Sequence, residues 1–225
     1  MITNRWEEIH DQRDWGKYPS EDLVRFIGRN YFRIPKPERK KIKVLELGCG
    51  QGANLWFLAR EGFDVYGIDF SPSAIKKTKI TLKEWNVEIN FLDVQDIRNL
   101  AFPANIFDVV IDVATICNVT FKDHFIAYNS IYRTLIPGGK FWSYHFDESS
   151  WGYGKGNLID YKTFDNINEG MLKDIGTTCM LSDKDIETEL VKVGFVDITI
   201  EKHMRTYDKQ SRCIVGWIVD CVKPQ

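Results

Sequence analysis

The residues best suited to chemistry cluster between 44 and 53. There Val44-Leu45-Glu46-Leu47-Gly48-Cys49-Gly50-Gln51-Gly52-Ala53 sets three glycines at alternate positions after an apolar run. Glycine lets the backbone turn tightly and approach a ligand closely. A helix starting at such a loop would offer free N–H groups to an anionic group. A plain strand-to-helix turn is the simpler reading, and one Gly-x-Gly would not displace it. The third glycine argues for a binding loop. Gly48-x-Gly50-x-x-Ala53 also satisfies the dinucleotide fingerprint. Asp69, 19 residues after Gly50, offers a carboxylate to ribose hydroxyls under either cofactor reading.

Such a loop needs a strand leading in and a helix leading out. Residues 42–47 read as that strand and 54–60 as that helix. Residues 65–68, 87–92, 107–111 and 140–146 read as further strands, and 121–135 as a long helix. Ser71-Pro72 opens another helix, with serine as N-cap and proline in the first turn. Strands alternating with helices imply an α/β fold with a doubly wound, mostly parallel sheet. Phe107-Asp108-Val109-Val110-Ile111 is largely apolar, as a central strand buried on both faces should be. Val87, Ile89 and Phe91 alternate with polar residues, as at a sheet edge, and so do Val196, Ile198 and Ile200. The last run, Cys213 to Val219, is apolar on both faces. The final strand is therefore expected inside the sheet with its predecessor at the edge. Seven strands ending in an antiparallel hairpin result. Ser182 caps the helix before that hairpin and Gly194 ends it.

The remaining segments are additions to this frame. Leu23, Phe26, Ile27, Tyr31 and Ile34 recur at helical spacing, and Pro35 and Pro37 then stop the helix, so residues 1–41 read as a helical cap. Residues 147–181 include Trp151-Gly152-Tyr153-Gly154-Lys155-Gly156 and suit no regular element. A loop that long is usually a lid or binding segment, here an acceptor-binding insertion within a single domain over 1–225. The 225 residues carry 30 basic and 32 acidic side chains, a net charge of −2, without the basic surplus of a typical nucleic-acid binder. The composition, 44% hydrophobic and 28% charged, is that of a globular chain rather than a disordered one. No apolar run approaches the roughly 20 residues of a membrane helix. Five scattered cysteines form no Cys-x-x-Cys pair, so neither zinc nor a disulfide framework is indicated, and a cytoplasmic location is expected.

Glu46-x-Gly48-x-Gly50-x-Gly52 resembles the first motif of class I S-adenosylmethionine-dependent methyltransferases. The resemblance continues through Gly67-Ile68-Asp69-Phe70-Ser71, Phe91-Leu92-Asp93-Val94, Phe107-Asp108-Val109-Val110, Leu135-Ile136-Pro137-Gly138-Gly139-Lys140 and Gly194-Phe195. It implies a Rossmann-like methyltransferase fold with S-adenosyl-L-methionine as cofactor and S-adenosyl-L-homocysteine as product. By the same resemblance, Gly48, Gly50 and Gly52 line the methionine and ribose. Glu46 orients the loop or reaches the methionine amino group. Asp69 takes the ribose hydroxyls, with Phe70 beside it. Asp93 accepts from the adenine amine, and the Val94 N–H meets a ring nitrogen. Asp112, just after the fourth strand, falls near the sulfonium or else caps a loop. Trp15 and Tyr18 close over the cofactor or pack on the sheet rim.

On the acceptor side, Asp112-Val113-Ala114-Thr115 is not the motif of amino-methylating nucleic-acid enzymes, and no Pro-Cys stands there. The chain resembles the stand-alone small-molecule branch. Residues 14–21 look like the opening of methyltransferases from sugar and surface-polysaccharide pathways. The expected reaction is O- or N-methylation of a small molecule, with a sugar-related metabolite as the candidate acceptor. A tRNA or protein methyltransferase and a non-catalytic S-adenosylmethionine-binding protein are the alternatives. A hydroxyl acceptor must lose a proton, so a general base helps. His145, at the exit of the fifth strand, is the candidate, with Tyr144 and Asp112 as substitutes. His124 is expected on the surface. A metal-assisted reaction would need Asp112, Asp147 and Glu148 to converge, and the intervening Tyr144-His145 does not fit that.

Overall fold

A computed structural model describes residues 5–225. Three helices begin the chain: α1 (Arg5–Gln12), α2 (Glu21–Tyr31) and the short α3 (Lys36–Arg39). The α/β core follows: β1 (Lys43–Leu47), α4 (Ala53–Arg60), β2 (Asp64–Asp69), α5 (Pro72–Glu84), β3 (Phe91–Val94), β4 (Phe107–Val113), α6 (Phe121–Thr134) and β5 (Leu135–Phe146). Three short strands come next: β6 (Asn157–Asp160), β7 (Thr163–Asp165) and β8 (Thr178–Cys179). Then α7 (Asp183–Val193) leads into β9 (Val196–Tyr207) and β10 (Arg212–Val222). The main sheet has seven strands in the order β3-β2-β1-β4-β5-β10-β9. All neighbours pair in parallel except β10, which runs antiparallel to both β5 and β9. The expected fold class and the placing of the last strand both hold.

Alternate side chains of the central strands feed two cores. Leu45, Leu47, Val110 and Phe141 pack with α6 and α7, and Val44, Val109, Ile111 and Trp142 pack with α2 and α4. Burial on both faces is what a near-continuous apolar strand requires. Helix ends follow local chemistry. Ser71 Oγ accepts the Ala74 N–H at 3.0 Å. Ser182 and Asp185 form a reciprocal capping box at α7, and Gly194 ends that helix at φ 109°.

Three expectations need correction. The third strand starts at Phe91 rather than near Val87, because the Val87 N–H closes α5 by bonding Leu82 O at 3.0 Å. Asn86, at φ 51°, supplies the left-handed residue that this helix end needs. Of the expected cap over 1–41, residues 1–4 lie outside the described residues, and 5–41 hold three separate helices with 13–20 as connecting chain. Residues 147–181 are not all loop, for β6, β7 and β8 form an antiparallel sheet of their own. That sheet rests on Phe164, Ile167, Leu172 and Met180, and Met180 bridges to Phe146 at the end of β5.

Candidate active site

The carboxyl ends of β1, β2, β4 and β5 open into one cavity of about 520 Å³, within the usual range for small-ligand sites. This is the crevice where open α/β sheets bind ligands. Residues 48–51 form one wall, with Asp69 and Phe70 beside them and Val113 to Thr115 opposite. At Gly48 the backbone turns at φ 59°, and a Cβ there would collide with the Thr115 side chain. The glycine thus lets the loops after β1 and β4 touch. Gly50 also lies on the wall, whereas Gly52 does not. Gly52 is the N-cap of α4 at φ 85°, and a Cβ there would stand 2.9 Å from Thr78 Cγ2. Its role is packing behind the loop, a departure from the expected ligand contact.

Glu46 is 1% exposed and lines the cavity. Its Oε1 accepts from Asn54 Nδ2 at 2.6 Å, while Oε2 is buried with no partner. Burial pushes its pKa up to about 8, the Asn54 bond opposes this, and the charges of Asp69 and Asp112 add to it. Asp69 ties the loop together: Oδ2 accepts the Gly50 N–H and Oδ1 the Ser71 N–H, each at 2.8 Å. Burial raises its pKa to about 6 against those two bonds. This half of the cavity therefore sets two buried carboxyls, Glu46 and Asp69, side by side, each held above its usual pKa by burial.

Asp93 and Val94 are exposed at the end of β3 and are not on the wall. Val94 is still paired with Asp69 in the sheet. The chain turns onto the cavity only at Asp96 and Ile97. Asp96 follows the quoted motif by two residues, so its place was within reach of the sequence.

The three candidate bases lie off the wall. Asp112 is fully buried; its Oδ1 caps the turn at Ile116–Asn118 through the N–H groups of Thr115 and Ile116, and its Oδ2 accepts from Ser143 Oγ at 2.6 Å. The capping reading is the one the geometry matches. His145 is 1% exposed, with Nε2 2.7 Å from Ser143 Oγ and Nδ1 without a partner. It points from β5 into the α6 core, beside Tyr128 and His124. Burial drops its pKa to about 3. Tyr144 faces the opposite side of β5, where burial raises its phenol to about 12. Strand alternation separates Tyr144 from His145, so no single site could use both. His124, expected at the surface, is fully buried with neither ring nitrogen partnered. The three carboxylates considered for a metal are spent separately: Asp112 as above, Asp147 on Ser149, and Glu148 on Lys162 at 2.6 Å.

The roof comes from outside the core. Trp6 and His10 of α1 line the cavity, as do Trp15 and Tyr18 of the following segment, both of which are largely exposed. Glu7 pins α1 to the start of α5, accepting from the Ser71 hydroxyl and from Ser73 Oγ at 2.6 Å. Arg5 Nε donates to Asp174 O at 2.8 Å, joining α1 to the insertion. Gln51 holds the joint: its Oε1 accepts the Trp15 N–H at 3.0 Å, and its Nε2 donates to Arg13 O at 3.0 Å. That orientation aims a Gln51 N–H at His10 Nδ1, 3.4 Å away. A Gln51 N–H donated there would leave the neutral His10 ring with its proton on Nε2. Burial and the charge of Lys77 lower its pKa to about 4. No motif flagged Glu7, His10 or Gln51, because their relation exists only once α1 folds back. The far wall is apolar: Phe146, Leu172, Ile175 and Ile214.

Comparison with known proteins matches residues 44–139 to the family of methyltransferase domains. A 2-heptyl-1-hydroxyquinolin-4(1H)-one methyltransferase from Mycobacteroides abscessus is 28% identical over 66% of this chain and 68% of its own length. A bovine 18S rRNA (guanine-N(7))-methyltransferase is 26% identical over 52% of this chain and 43% of its own. The bovine enzyme and six other curated relatives are matched over less than half of their own length. A structure solved in work on converting a disulfide bond into a thioacetal group during echinomycin biosynthesis superposes with a TM-score of 0.74 at 18% identity. It covers 100% of this chain and 92% of that one, which speaks for the fold. With the glycine loop, the strand order and the terminal hairpin in place, residues 44–139 match a methyltransferase domain, and the fold and the relatives together support the class I S-adenosylmethionine-dependent methyltransferase superfamily.

Proposed function

We propose that the protein transfers a methyl group from S-adenosylmethionine to a small-molecule acceptor. The carrying observation is the buried, unpartnered Glu46 Oε2 on the wall of a cavity that also holds Asp69 and the glycine loop. The cofactor's ammonium would give Glu46 its missing partner. Its ribose hydroxyls match the lone pairs left on Asp69. A cationic ligand suits a pocket walled by carboxylates, so these residues fit the group.

When bound, the cofactor supplies an electrophilic methyl on a sulfonium. The chain's part is to hold and to exclude. Gly48 and Gly50 admit the ligand against the backbone. Trp6 and Trp15 shut out water from the α1 side. Phe146 and the insertion position the acceptor. Alignment of acceptor, methyl and sulfur alone lowers much of such a barrier. The similarity to a hydroxyquinolone methyltransferase over two thirds of both chains supports a small acceptor. Oxygen is the first acceptor atom to test and nitrogen the second.

Calorimetry tests the reading. S-adenosylhomocysteine should bind and NAD should not, and Asp69→Ala should weaken binding by about 1.5–3 kcal/mol, the range for hydrogen bonds to charged groups. Binding of NAD with no response to S-adenosylhomocysteine would overturn it.

A further inference from the structure

We infer that the methyl acceptor is a largely apolar ring compound with no fixed negative charge, seated between the aromatic roof and the wall formed by Phe146, Leu172, Ile175 and Ile214. This rests on the cofactor half belonging to S-adenosylmethionine. The first ground is charge. Among the described residues, no Lys or Arg lines the cavity, while Glu46, Asp69 and Asp96 do. An anionic group entering it would lose its hydration and gain no oppositely charged side chain, only neutral donors such as Trp6 Nε1. Of the cations nearby, Lys77 bonds Arg13 O and Asp14, Arg205 stands off the wall across from Ile214, and three more are committed. Arg98 holds Asp96 with two nitrogens and reaches Asp123 at 3.3 Å. Arg5 bonds Asp174 O and Glu8. Lys162 sits between Glu148 at 2.6 Å and Asp185 at 2.5 Å.

The second ground is the wall itself. Met171, Leu172 and Ile175 of the insertion face the cavity along with Phe146 and Ile214. Trp6, Trp15 and Tyr207 add ring surfaces, which favour ring compounds over flexible polar ones. A sugar would need many hydrogen-bond partners, and this side supplies few. A phosphate or an RNA backbone would need cations.

The third ground is the proton. Among the described residues His10 is the one imidazole on the wall, and its Nδ1 faces the Gln51 amide, an arrangement that puts the hydrogen on Nε2 when Gln51 donates. It can donate to an acceptor atom but not take a proton there. An acceptor must therefore present a lone pair without help from this ring, as a ring nitrogen or an acidic ring hydroxyl does.

The test uses two probes with one ring system, naphthol and naphthol sulfonate, titrated calorimetrically into the full chain with and without S-adenosylhomocysteine. Naphthol should bind at least about 10-fold tighter than the sulfonate, the discrimination expected when a charge must be buried unpaired. Met171→Lys places a cation on the wall at a residue 57% exposed, where a lysine can fold. It should shrink or reverse that ratio, with circular dichroism unchanged. Equal or tighter binding of the sulfonate by the unaltered protein would overturn the inference, as would a ratio unmoved in the folded variant. The cofactor titration is read separately. Its failure sinks the proposed function, while the probe ratio without S-adenosylhomocysteine still judges the chamber.

Discussion

A carboxylate with one oxygen bonded and the other bare is the most informative residue in the molecule. Glu46 holds its proton to about pH 8 while its cavity is empty of cations. An ammonium ligand binds the ionised form. The affinity for S-adenosylhomocysteine should therefore climb as pH rises from 6.5 towards 8 and level off beyond. In Glu46→Gln, calorimetry should show affinity about 10- to 100-fold lower and the rise with pH gone. A variant that keeps the rise would place the titrating group elsewhere. At this scale the sequence was legible where a residue's job is set by its neighbours in the chain. Glu46, Gly48, Gly50, Asp69 and Phe70 reach the cavity because a strand end and the turn after it fix them. His145 stands off the cavity wall for a reason of geometry: one residue of strand register decides which face a side chain takes, and position at a strand exit does not reveal it.

Among the elements, α1 has the most to answer for. It is only 8 residues long, too short to be stable alone in water, and is held by its contacts. Glu7 serves as a borrowed cap for α5, and Arg5 ties the other flank to the insertion. Glu7→Ala should cost about 1 kcal/mol, as lost caps do. Hydrogen exchange should show α1 and the glycine loop losing protection while the central strands keep theirs, and S-adenosylhomocysteine should dissociate faster. Unchanged protection at the glycine loop would mean that α1 is held by other contacts. The long elements were readable from their periodicity. The small sheet was not, since β6, β7 and β8 are 4, 3 and 2 residues long and carry no period to detect. Nor does any local pattern announce that α1 folds back over a loop some forty residues away.

The whole molecule carries buried ionisable groups of two kinds, and they act in opposite directions. The histidines at 10, 124 and 145 have folded values of about 4, 4 and 3, so stability is lost as pH falls below their unfolded value near 6.5. Carboxyls raised by burial lose stability as pH rises, because the unfolded chain releases a proton that the folded chain keeps. Asp69 and Asp112 complete this by about pH 6. Only Glu46 continues, to about 8. From pH 6.5 to 8 the Glu46 proton alone should thus cost the cofactor-free protein about 2 kcal/mol, at about 1.4 kcal/mol per pH unit, and the three histidines offset about half of it as their unfolded forms finish losing protons. Denaturant titrations should show this loss, and Glu46→Gln or saturating S-adenosylhomocysteine should remove it. A profile in the unaltered protein that runs parallel to that of Glu46→Gln would argue against the buried, proton-holding Glu46.

The strand order has a consequence for synthesis on the ribosome. β5 is flanked by β4, made before it, and by β10, whose residues 212–222 are translated last among the sheet strands. Between the emergence of Phe146 and that of Val222 the nascent sheet offers a bare edge, for roughly 4 to 15 seconds at ordinary elongation rates. Bare edges invite pairing with other chains. The insertion that walls the cavity is made in this interval, and its Met180 already bridges to Phe146. Substitutions that unsettle β6 to β8 should therefore lower the soluble yield in cells more than they lower the stability of the purified protein.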